Sequence, residues 1–255
     1  AIAVQLPDVH VEAGKGDRVD ATYYGSRGIV TVVSRDGDAI MKLNNWYGLG
    51  SVSGIPNQRR LSHIPLQLHP DPKRVFYLGL ATGITAGAAL KYPVDDVVVC
   101  ELVPEVVQAA RDHFARHAGG LFTDPRVRIV IEDGRNYLLG TSEQFDVVIG
   151  DLFLPWGAGT GGLYSVSHFR SVKSRLAPGG LFAQWLPLYQ MSEREFNVVV
   201  RTALEVFEEV TLWRGNFSSA NPMVALVCRS TPAALDPGML VRNVQALAER
   251  GTSPG

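Results

Sequence analysis

Short apolar runs alternate with longer amphipathic stretches from about residue 74 to the end of the chain. This alternation is typical of a mostly parallel sheet with helices on both faces. The apolar runs predict strands near 75–79, 97–101, 127–131, 145–150 and 180–185, and the intervening stretches predict helices near 82–91, 104–117, 134–140, 166–176 and 192–206. Two further apolar runs follow each other without a helix between them, which predicts a terminal antiparallel strand. We therefore expect a doubly wound α/β fold.

A different pattern precedes residue 74. Residues 18–43 are rich in β-branched and aromatic side chains, and Asp36-Gly37 is a strong hairpin signal. We expect two or three antiparallel strands here, in a unit too small to be stable unless it docks on something larger. A Gly- and Ser-rich connector and a short helix at 59–69 follow. We place the N-terminal β-hairpin domain with its connector at 1–60, and the α/β domain at 61–255.

The stretch VFYLGLATGITAGAAL, residues 75–90, predicts a strand, a tight turn and the start of a helix. Glycines at 79, 83 and 87 would let a ligand approach the backbone and let the helix pack closely on the sheet. The spacing differs from the dinucleotide pattern G-x-G-x-x-G, because Ala81 and Ile84 stand at two of its glycine positions. A nicotinamide cofactor is therefore disfavoured.

Acidic residues follow three successive strands of the predicted sheet. Glu101 ends the second strand, Asp133 follows the third and Asp151 follows the fourth. Ligands of open parallel sheets lie at these carboxyl ends, and repeated carboxylates suit hydroxyls, an exocyclic amine and a cationic centre better than a phosphate. A nucleoside sulfonium has all three groups. Two alternatives stay open: Asp133 as a helix cap and Asp151 as an ordinary turn residue.

Composition narrows the class of protein further. Of 255 residues, 46% are hydrophobic and 19% charged, and the formal net charge of -1 gives no basic field for nucleic acid. No apolar run approaches the ~20 residues of a membrane span, so we expect no membrane insertion of this segment and see no signal peptide. Cys100 and Cys228 lie in apolar runs, which indicates buried thiols in a reducing, cytoplasmic setting. The first residue is Ala, which leaves open that this is the soluble part of a longer protein.

Several segments together resemble the spermidine synthase (polyamine aminopropyltransferase) family, a branch of the S-adenosylmethionine-dependent methyltransferase-like folds. The resemblance covers roughly residues 20 to 230, and the segments that carry it are RRLSHIPL, LGLATGITAG, VVVCELVPEVVQAAR, DPRVRIVIEDGRNYL, FDVVIGDLFLPWG and LYSVSHFRSVKSRLAPGGLFAQW. LHPDPKRV and WLPLYQ look most like the branch joined to a membrane transporter-like segment. The predicted N-terminal hairpins also fit the family.

The resemblance implies a fold, a reaction and a set of site residues. The α/β domain would be a nucleoside-binding sheet of the methyltransferase (Rossmann-like) type, and decarboxylated S-adenosylmethionine would be the co-substrate. Asp151 would accept the proton of the attacking amine, Glu101 would hold the ribose and Asp133 the adenine amine. The donor-binding set is completed by Gly79, Thr82, Gly83, Leu102 and Gly134.

Two departures from the family pattern concern the transferred group and its acceptor. Thr82 stands where the family has an aspartate that helps hold the aminopropyl end of the donor, and Leu154 stands where it has an aspartate that grips the polyamine. The resemblance therefore implies that the residues for nucleoside recognition are retained and that those for polyamine recognition are partly lost. We expect an amine acceptor other than simple putrescine.

The candidates on the acceptor side are mostly aromatic. Their rings would line the site and contact a cation. The alternative for each aromatic residue is packing in the core or at its rim, and the alternative for the histidine is a structural role with its hydrogen bonds satisfied. The set is Tyr24, His63, Leu154, Trp156, Tyr164, Trp185, Tyr189 and Gln190. No His, Cys and Asp cluster has metal-ligand spacing, so we predict no catalytic metal.

Three functions remain in view. The first is aminopropyl transfer from decarboxylated S-adenosylmethionine to an amine, and the second is methyl transfer from S-adenosylmethionine itself. The third is an inactive nucleoside-binding or scaffold domain. The acceptor, the form of the donor and the oligomeric state stay open, although the resemblance implies pairing into a homodimer through the N-terminal hairpins.

Overall fold

A computed structural model describes residues 14–153 and 160–250 of the chain. Within these residues the strands form two sheets, one of four strands and one of seven. The four-stranded sheet contains β1 (Arg18–Gly25), β2 (Gly28–Arg35), β3 (Asp38–Leu43) and β4 (Tyr47–Ser51), each antiparallel to the next. The predicted hairpin turn is present, with Asp36 and Gly37 at φ of 50° and 81°, the positive values that such a two-residue turn requires.

The N-terminal sheet has more strands than the sequence indicated. We expected two or three strands followed by a connector, but residues 47–51 of that connector form β4 and pair with β3. The sequence did not predict this strand because YGLGS contains two glycines, and glycine has a low strand propensity. The pairing is nevertheless local, because Leu43 of β3 pairs with Tyr47 of β4 across a short turn in which Asn44 and Asn45 have positive φ of 52° and 66°.

The seven-stranded sheet has the order β10-β11-β9-β8-β5-β6-β7. Its strands are β5 (Arg74–Leu78), β6 (Asp96–Glu101), β7 (Val127–Ile131), β8 (Phe145–Gly150), β9 (Leu176–Pro187), β10 (Glu209–Arg214) and β11 (Met223–Arg229). The five strands from β9 to β7 pair in parallel, and β11 is antiparallel to both β9 and β10. The predicted α/β fold with a terminal antiparallel strand is therefore confirmed.

Helices cover both faces of this sheet. They are α1 (Ile55–Gln67), α2 (Ile84–Gly87), α3 (Pro104–Phe114), α4 (Gly134–Gly140), α5 (Val166–Arg175), α6 (Glu193–Val206) and α7 (Pro237–Glu249). Single 3-10 turns extend α2 and α3, and two others, Thr160–Tyr164 and Leu188–Gln190, precede α5 and α6. Helix α1 starts earlier than predicted because Pro56 lies in its first turn, where a missing N–H costs nothing. It runs across residue 60, so the division at 60/61 stays a prediction.

Two apolar layers, one on each face of the large sheet, form the core. One layer includes Phe114 and Trp185 and extends to Val30 and Met41 of the small sheet, which docks the hairpins onto the large sheet. The other is built on aromatic rings such as Phe169 and Phe182. Among the described residues, no helix combines the length and the apolar character needed to cross a bilayer.

Candidate active site

The strand register brings the predicted site residues to one edge of the large sheet. Leu78 at the end of β5 pairs with Cys100 of β6 on one side and with Gly150 of β8 on the other. The residues that follow, Gly79, Glu101 and Asp151, therefore lie next to one another where three parallel strands end. This edge is where open α/β sheets bind their ligands.

The turn after β5 depends on left-handed backbone. Gly79, Ala81 and Gly83 have φ of 93°, 49° and 78°, and the N–H of Gly79 donates to the carbonyl oxygen of Cys100 at 2.8 Å. A side chain is strained at such φ values, which explains glycine at two of the three positions. The ring of Phe153 lies 3.8 Å from where a Cβ of Gly79 would stand. The segment after β8 therefore packs against the glycine turn.

Glu101 ties the glycine turn to the end of β6. Its side chain is buried, with 8% exposed, and it accepts the backbone N–H of Leu80 at 3.0 Å and that of Val103 at 2.9 Å. Burial raises the pKa of this carboxyl, and the backbone N–H donors act in the opposite direction. The N–H groups of Ala81 and Leu102 also act on this carboxylate, so backbone on both sides of it orients Glu101 at the end of β6.

Asp133 caps the N-terminus of α4, which is the alternative role that the sequence left open for it. Its Oδ1 accepts the N–H of Arg135 at 2.8 Å, which leaves the second carboxylate oxygen for a ligand amine. Gly134 is needed for packing, since a Cβ there would stand 2.6 Å from a methyl group of Leu78. Leu102, 40% exposed, offers an apolar surface beside Glu101. Capping and adenine recognition are therefore compatible roles for this aspartate.

Thr82 makes a polar contact away from the strand ends. It is buried, and its hydroxyl donates to the side-chain oxygen of Gln58 in α1. The amide nitrogen of Gln58 in turn donates to the carbonyl oxygen of Ser51 at 2.7 Å. Thr82 thus sits in a neutral network that joins the glycine turn to the N-terminal sheet, with no charge at the position.

Asp151 lies half-buried directly after β8. Burial raises the pKa of its carboxyl, offset in part by the N–H of Leu152, which donates to Oδ1 at 2.7 Å. A carboxylate with a raised pKa is suited to exchange protons with a substrate. The carbonyl oxygen of Asp151 accepts the side-chain amide of Gln184 at 3.1 Å.

Tyrosines surround Asp151. The hydroxyl of Tyr47 donates to the carbonyl oxygen of Leu152 at 2.7 Å, and that of Tyr164 to the carbonyl oxygen of Phe153 at 2.6 Å. Burial and the charge of Asp151 raise the pKa of both phenols and of Tyr189, which is 43% exposed. These phenols therefore stay neutral beside the Asp151 carboxyl.

Sequence reasoning missed three of these residues. Tyr47 lies in the stretch interpreted as a connector, where no signal marked it. Gln58 lies at the end of the same Gly- and Ser-rich stretch. Gln184 carried a usable signal, because it is a lone amide in the apolar run LFAQWLP, and an amide buried there needs partners.

Some acceptor-side candidates lie elsewhere. Trp185 is fully buried and its indole N–H donates to the carbonyl oxygen of Leu61 at 2.9 Å, so it packs in the core rather than walling a substrate. His63 is buried beside Tyr92, with Nδ1 3.1 Å from the phenol oxygen, and burial lowers its pKa to about 4. Trp185 and His63 therefore have the structural roles that the sequence analysis gave as their alternatives.

Tyr24 lies on β1 of the small sheet. Its neighbour Tyr23 bonds to Asp112 of α3 at 2.8 Å, and Tyr24, which points to the opposite face of the strand, is 67% exposed. Gln190 ends the 3-10 turn that contains Tyr189. Two further candidates, Leu154 and Trp156, lie outside the described residues.

Metal binding has no visible basis in the part of the chain that the structure describes. Across 14–153 and 160–250, no group of three His, Cys, Asp or Glu side chains is arranged to hold a metal ion. The site is built from carboxylates, phenols and backbone N–H groups.

Comparison with known proteins identifies a family model. The model for the spermine/spermidine synthase domain matches residues 55–213. A polyamine aminopropyltransferase of Aeropyrum pernix is 37% identical over 155 residues, which cover 59% of this chain and 49% of that protein. A spermidine synthase of Dictyostelium discoideum is 34% identical over 51% of this chain and 48% of its own length. The matches thus span about half the length of these curated relatives.

Longer but more distant similarities extend to most of the chain. A polyamine aminopropyltransferase of Pyrobaculum neutrophilum is 28% identical over 92% of this chain and 84% of its own length. The spermidine synthase structure from Thermotoga maritima superposes with a TM-score of 0.77 at 21% identity, over 93% of this chain and 80% of that one. A spermidine synthase in complex with the transition state analogue AdoDATO gives 0.76 at 20% identity, with the same coverage. These structures establish the shared fold.

Proposed function

Because the chain belongs to the spermine/spermidine synthase family, we propose that it transfers an aminopropyl group from decarboxylated S-adenosylmethionine to an amine. One observation carries this proposal. Asp151, a carboxyl with a raised pKa, lies one strand from the glycine turn of β5. An acceptor amine beside Asp151 would therefore be next to the reactive carbon of a donor that is bound over the turn.

The donor side supports a nucleoside ligand. Glu101 is buried and oriented by the backbone N–H groups of Leu80 and Val103, as a ribose acceptor would need to be. Asp133 would accept from the exocyclic amine of adenine, with Leu102 against the base. The turn at Gly79 and Gly83 allows close approach of the nucleoside to the backbone.

The reaction needs positioning and one proton acceptor. The neutral amine nitrogen attacks the carbon adjacent to the sulfonium, the new C–N bond forms as the C–S bond breaks, and the electron pair stays on sulfur. Methylthioadenosine is the leaving group, and the extra proton on nitrogen passes to the carboxylate of Asp151. Alignment of the two reactants supplies much of the rate enhancement, and the proton transfer supplies the remainder.

We expect the acceptor to carry less charge than putrescine does. Tyr47, Tyr164 and Tyr189 give the surroundings of Asp151 an aromatic character, and Leu154 is an apolar residue where the family has its second aspartate. A buried ammonium without a partner is costly, whereas a single amine beside one carboxylate and phenol faces is accommodated.

A second candidate, methyl transfer from S-adenosylmethionine, has one specific observation in its favour. Thr82 and Gln58 form a neutral pair where the family has an aspartate. A neutral pair does not attract the ammonium of an aminopropyl group, and it does not repel the carboxylate that the full donor carries.

The test combines donor binding with turnover. Thermal-shift measurements with each donor show which one stabilises the protein, and methylthioadenosine release is then measured with a panel of monoamines and diamines. We expect stabilisation by decarboxylated S-adenosylmethionine, release with a monoamine, poor turnover of putrescine, and a gain with putrescine in Leu154→Asp. Stabilisation by S-adenosylmethionine alone would favour the second candidate, and no response to either donor would contradict both.

A further inference from the structure

Three consecutive carbonyl groups after β8 are held by three side chains from different parts of the chain. The carbonyl oxygen of Asp151 accepts from Gln184, that of Leu152 from Tyr47, and that of Phe153 from Tyr164. Residues 151–153 belong to no helix or strand, so no ladder of backbone bonds fixes their path. The three side chains therefore decide the direction in which this segment runs.

Tyr47 differs from the other two in its origin. Gln184 is on β9, the neighbour of β8, and Tyr164 ends the 3-10 turn before α5, so both belong to the large sheet and its connections. Tyr47 begins β4 of the small sheet and reaches a carbonyl group that lies 105 positions further along the chain. The N-terminal sheet is thereby joined directly to the segment that carries Asp151.

We propose that Tyr47 is a positioning residue, whose hydroxyl holds the carbonyl of Leu152 and so aims the carboxylate of Asp151 at the acceptor amine. The inference rests on the proposed function, and it makes the N-terminal sheet part of the active site. The carboxylate accepts the N–H of Leu152, so the two ends of that residue are fixed by Asp151 and Tyr47 respectively. A turn of this residue would move the carboxylate with it.

The chemistry of the phenol fits this role. A carbonyl oxygen needs a donor, and a neutral phenol provides one. Burial, followed by the negative charge of Asp151, raises the pKa of Tyr47, so the proton stays on the hydroxyl throughout the neutral range. The adjacent ring of Trp46, centred 5.8 Å away, packs beside it. Phenylalanine would keep the ring packing and lose only the donated hydrogen bond.

A positioning role predicts a specific kinetic pattern. Tyr47 makes no contact with Glu101 or the glycine turn among its described bonds, so donor binding should be unchanged when the hydroxyl is removed. Misplacement of a catalytic group by about 1 Å costs on the order of 100-fold in rate. We therefore expect a loss of tenfold or more in kcat/KM for the acceptor, with KM for the donor within about twofold of the parent.

Tyr47→Phe is tested beside Tyr92→Phe as a matched control. Tyr92 is also a buried tyrosine in a hydrogen bond, to His63, and it lies outside the strand-end site. Both variants are compared with the parent in thermal stability, in steady-state kinetics for each substrate, and in amide hydrogen exchange of peptides that cover residues 145–165. We expect Tyr47→Phe alone to lose acceptor kcat/KM, to shift the acid limb of its pH profile, and to exchange faster around 151–153.

The outcomes separate this inference from the function on which it rests. If the parent transfers no group from either donor, the proposed function fails, and the exchange comparison still decides whether Tyr47 holds the segment. Equal exchange in the two variants would overturn the inference, whatever the activity. With an active parent, a Tyr47→Phe variant that keeps kcat/KM within about twofold would also overturn it, even at reduced stability.

Discussion

The two halves of the candidate site are built in different ways. On the donor side, Glu101 bonds to Leu80 and Val103, and Asp133 bonds to Arg135, so each carboxylate is held by backbone close to a strand end. On the acceptor side, the segment at Asp151 depends on side chains that arrive from β4, β9 and the turn before α5. The donor half is thus local to the strand ends, and the acceptor half is assembled from distant parts of the chain.

This difference has a consequence for how each half responds to substitution. Under the proposed function, changes near Asp151 should alter the choice of amine while the backbone geometry around Glu101 and Asp133 persists. The resemblance would place both departures, Thr82 and Leu154, at the transferred group or its acceptor, and it would keep Glu101 and Asp133 as donor-binding residues. We therefore expect the two halves to separate in experiments: one set of variants should affect turnover and the other should affect binding.

The largest effect should follow removal of the proton acceptor. Asp151→Asn keeps an oxygen for the N–H of Leu152 but is a much weaker base, so turnover should fall by about 10²–10⁴-fold. Donor affinity, measured by calorimetry with methylthioadenosine, should stay within about twofold. Full turnover in this variant would remove Asp151 from the mechanism, and an equal loss of nucleoside affinity would erase the distinction between the halves.

The donor half should show the opposite pattern. Glu101→Gln should weaken methylthioadenosine binding by roughly 2–3 kcal/mol, since it loses charge-assisted bonds to the ribose hydroxyls. Glu132→Gln is the matched control, because Glu132 is an exposed acid just after the end of the neighbouring strand. Calorimetry measures methylthioadenosine affinity in both variants. Equal affinities of Glu101→Gln and Glu132→Gln would show that Glu101 only holds the glycine turn.

A smaller effect is expected at the adenine position. Asn caps helices about as well as Asp, so Asp133→Asn should leave α4 intact while it weakens adenosine binding by about 1 kcal/mol. The parent should prefer adenosine to inosine analogues and the variant should lose this preference. Indifference of the parent to the exocyclic amine would restrict Asp133 to its capping role.

The smallest effect concerns stability and pH. Burial raises the pKa of Asp151, so the folded chain binds this proton more tightly than the unfolded chain does. The free energy of unfolding therefore falls as pH rises from the usual carboxyl pKa through the raised one. Asp151→Asn lacks this penalty, and urea unfolding should find it slightly more stable than the parent at about pH 7, with the gap closing near about pH 4. A gap that widens in acid would contradict the assigned sign.

The sequence anticipated the large sheet better than the small one. Apolar runs and turn signals located β5 to β9 and the helices between them, because a parallel strand buried on both faces must be apolar along its length. The same reasoning took β4 for a connector, because its glycines carry no strand signal. The signal for that strand lies in the turn before it, where Asn44 and Asn45 adopt positive φ and return the chain antiparallel to β3.

The site shows the same division at the level of single residues. Gly79, Glu101, Asp133 and Asp151 could be selected from the sequence, because parallel strands bring their carboxyl ends together and the residue after each end is known from the pattern. Trp185 ends the fifth predicted strand and His63 lies in an apolar run before the first, and the fold buries both. Which face a side chain points to depends on register and packing, which a single sequence leaves open.

By itself, the sequence determined the α/β alternation, the glycine turn and the carboxylates at three strand ends, because each follows from the physics of a few consecutive residues. Only the tertiary structure decided that Tyr47 reaches the Leu152 carbonyl, that Gln184 holds Asp151, and that Thr82 is paired with Gln58. These contacts join residues far apart in the chain. The free energy of forming these contacts depends on docking between the two sheets and on the desolvation of each polar group. No short stretch of the sequence determines either of these.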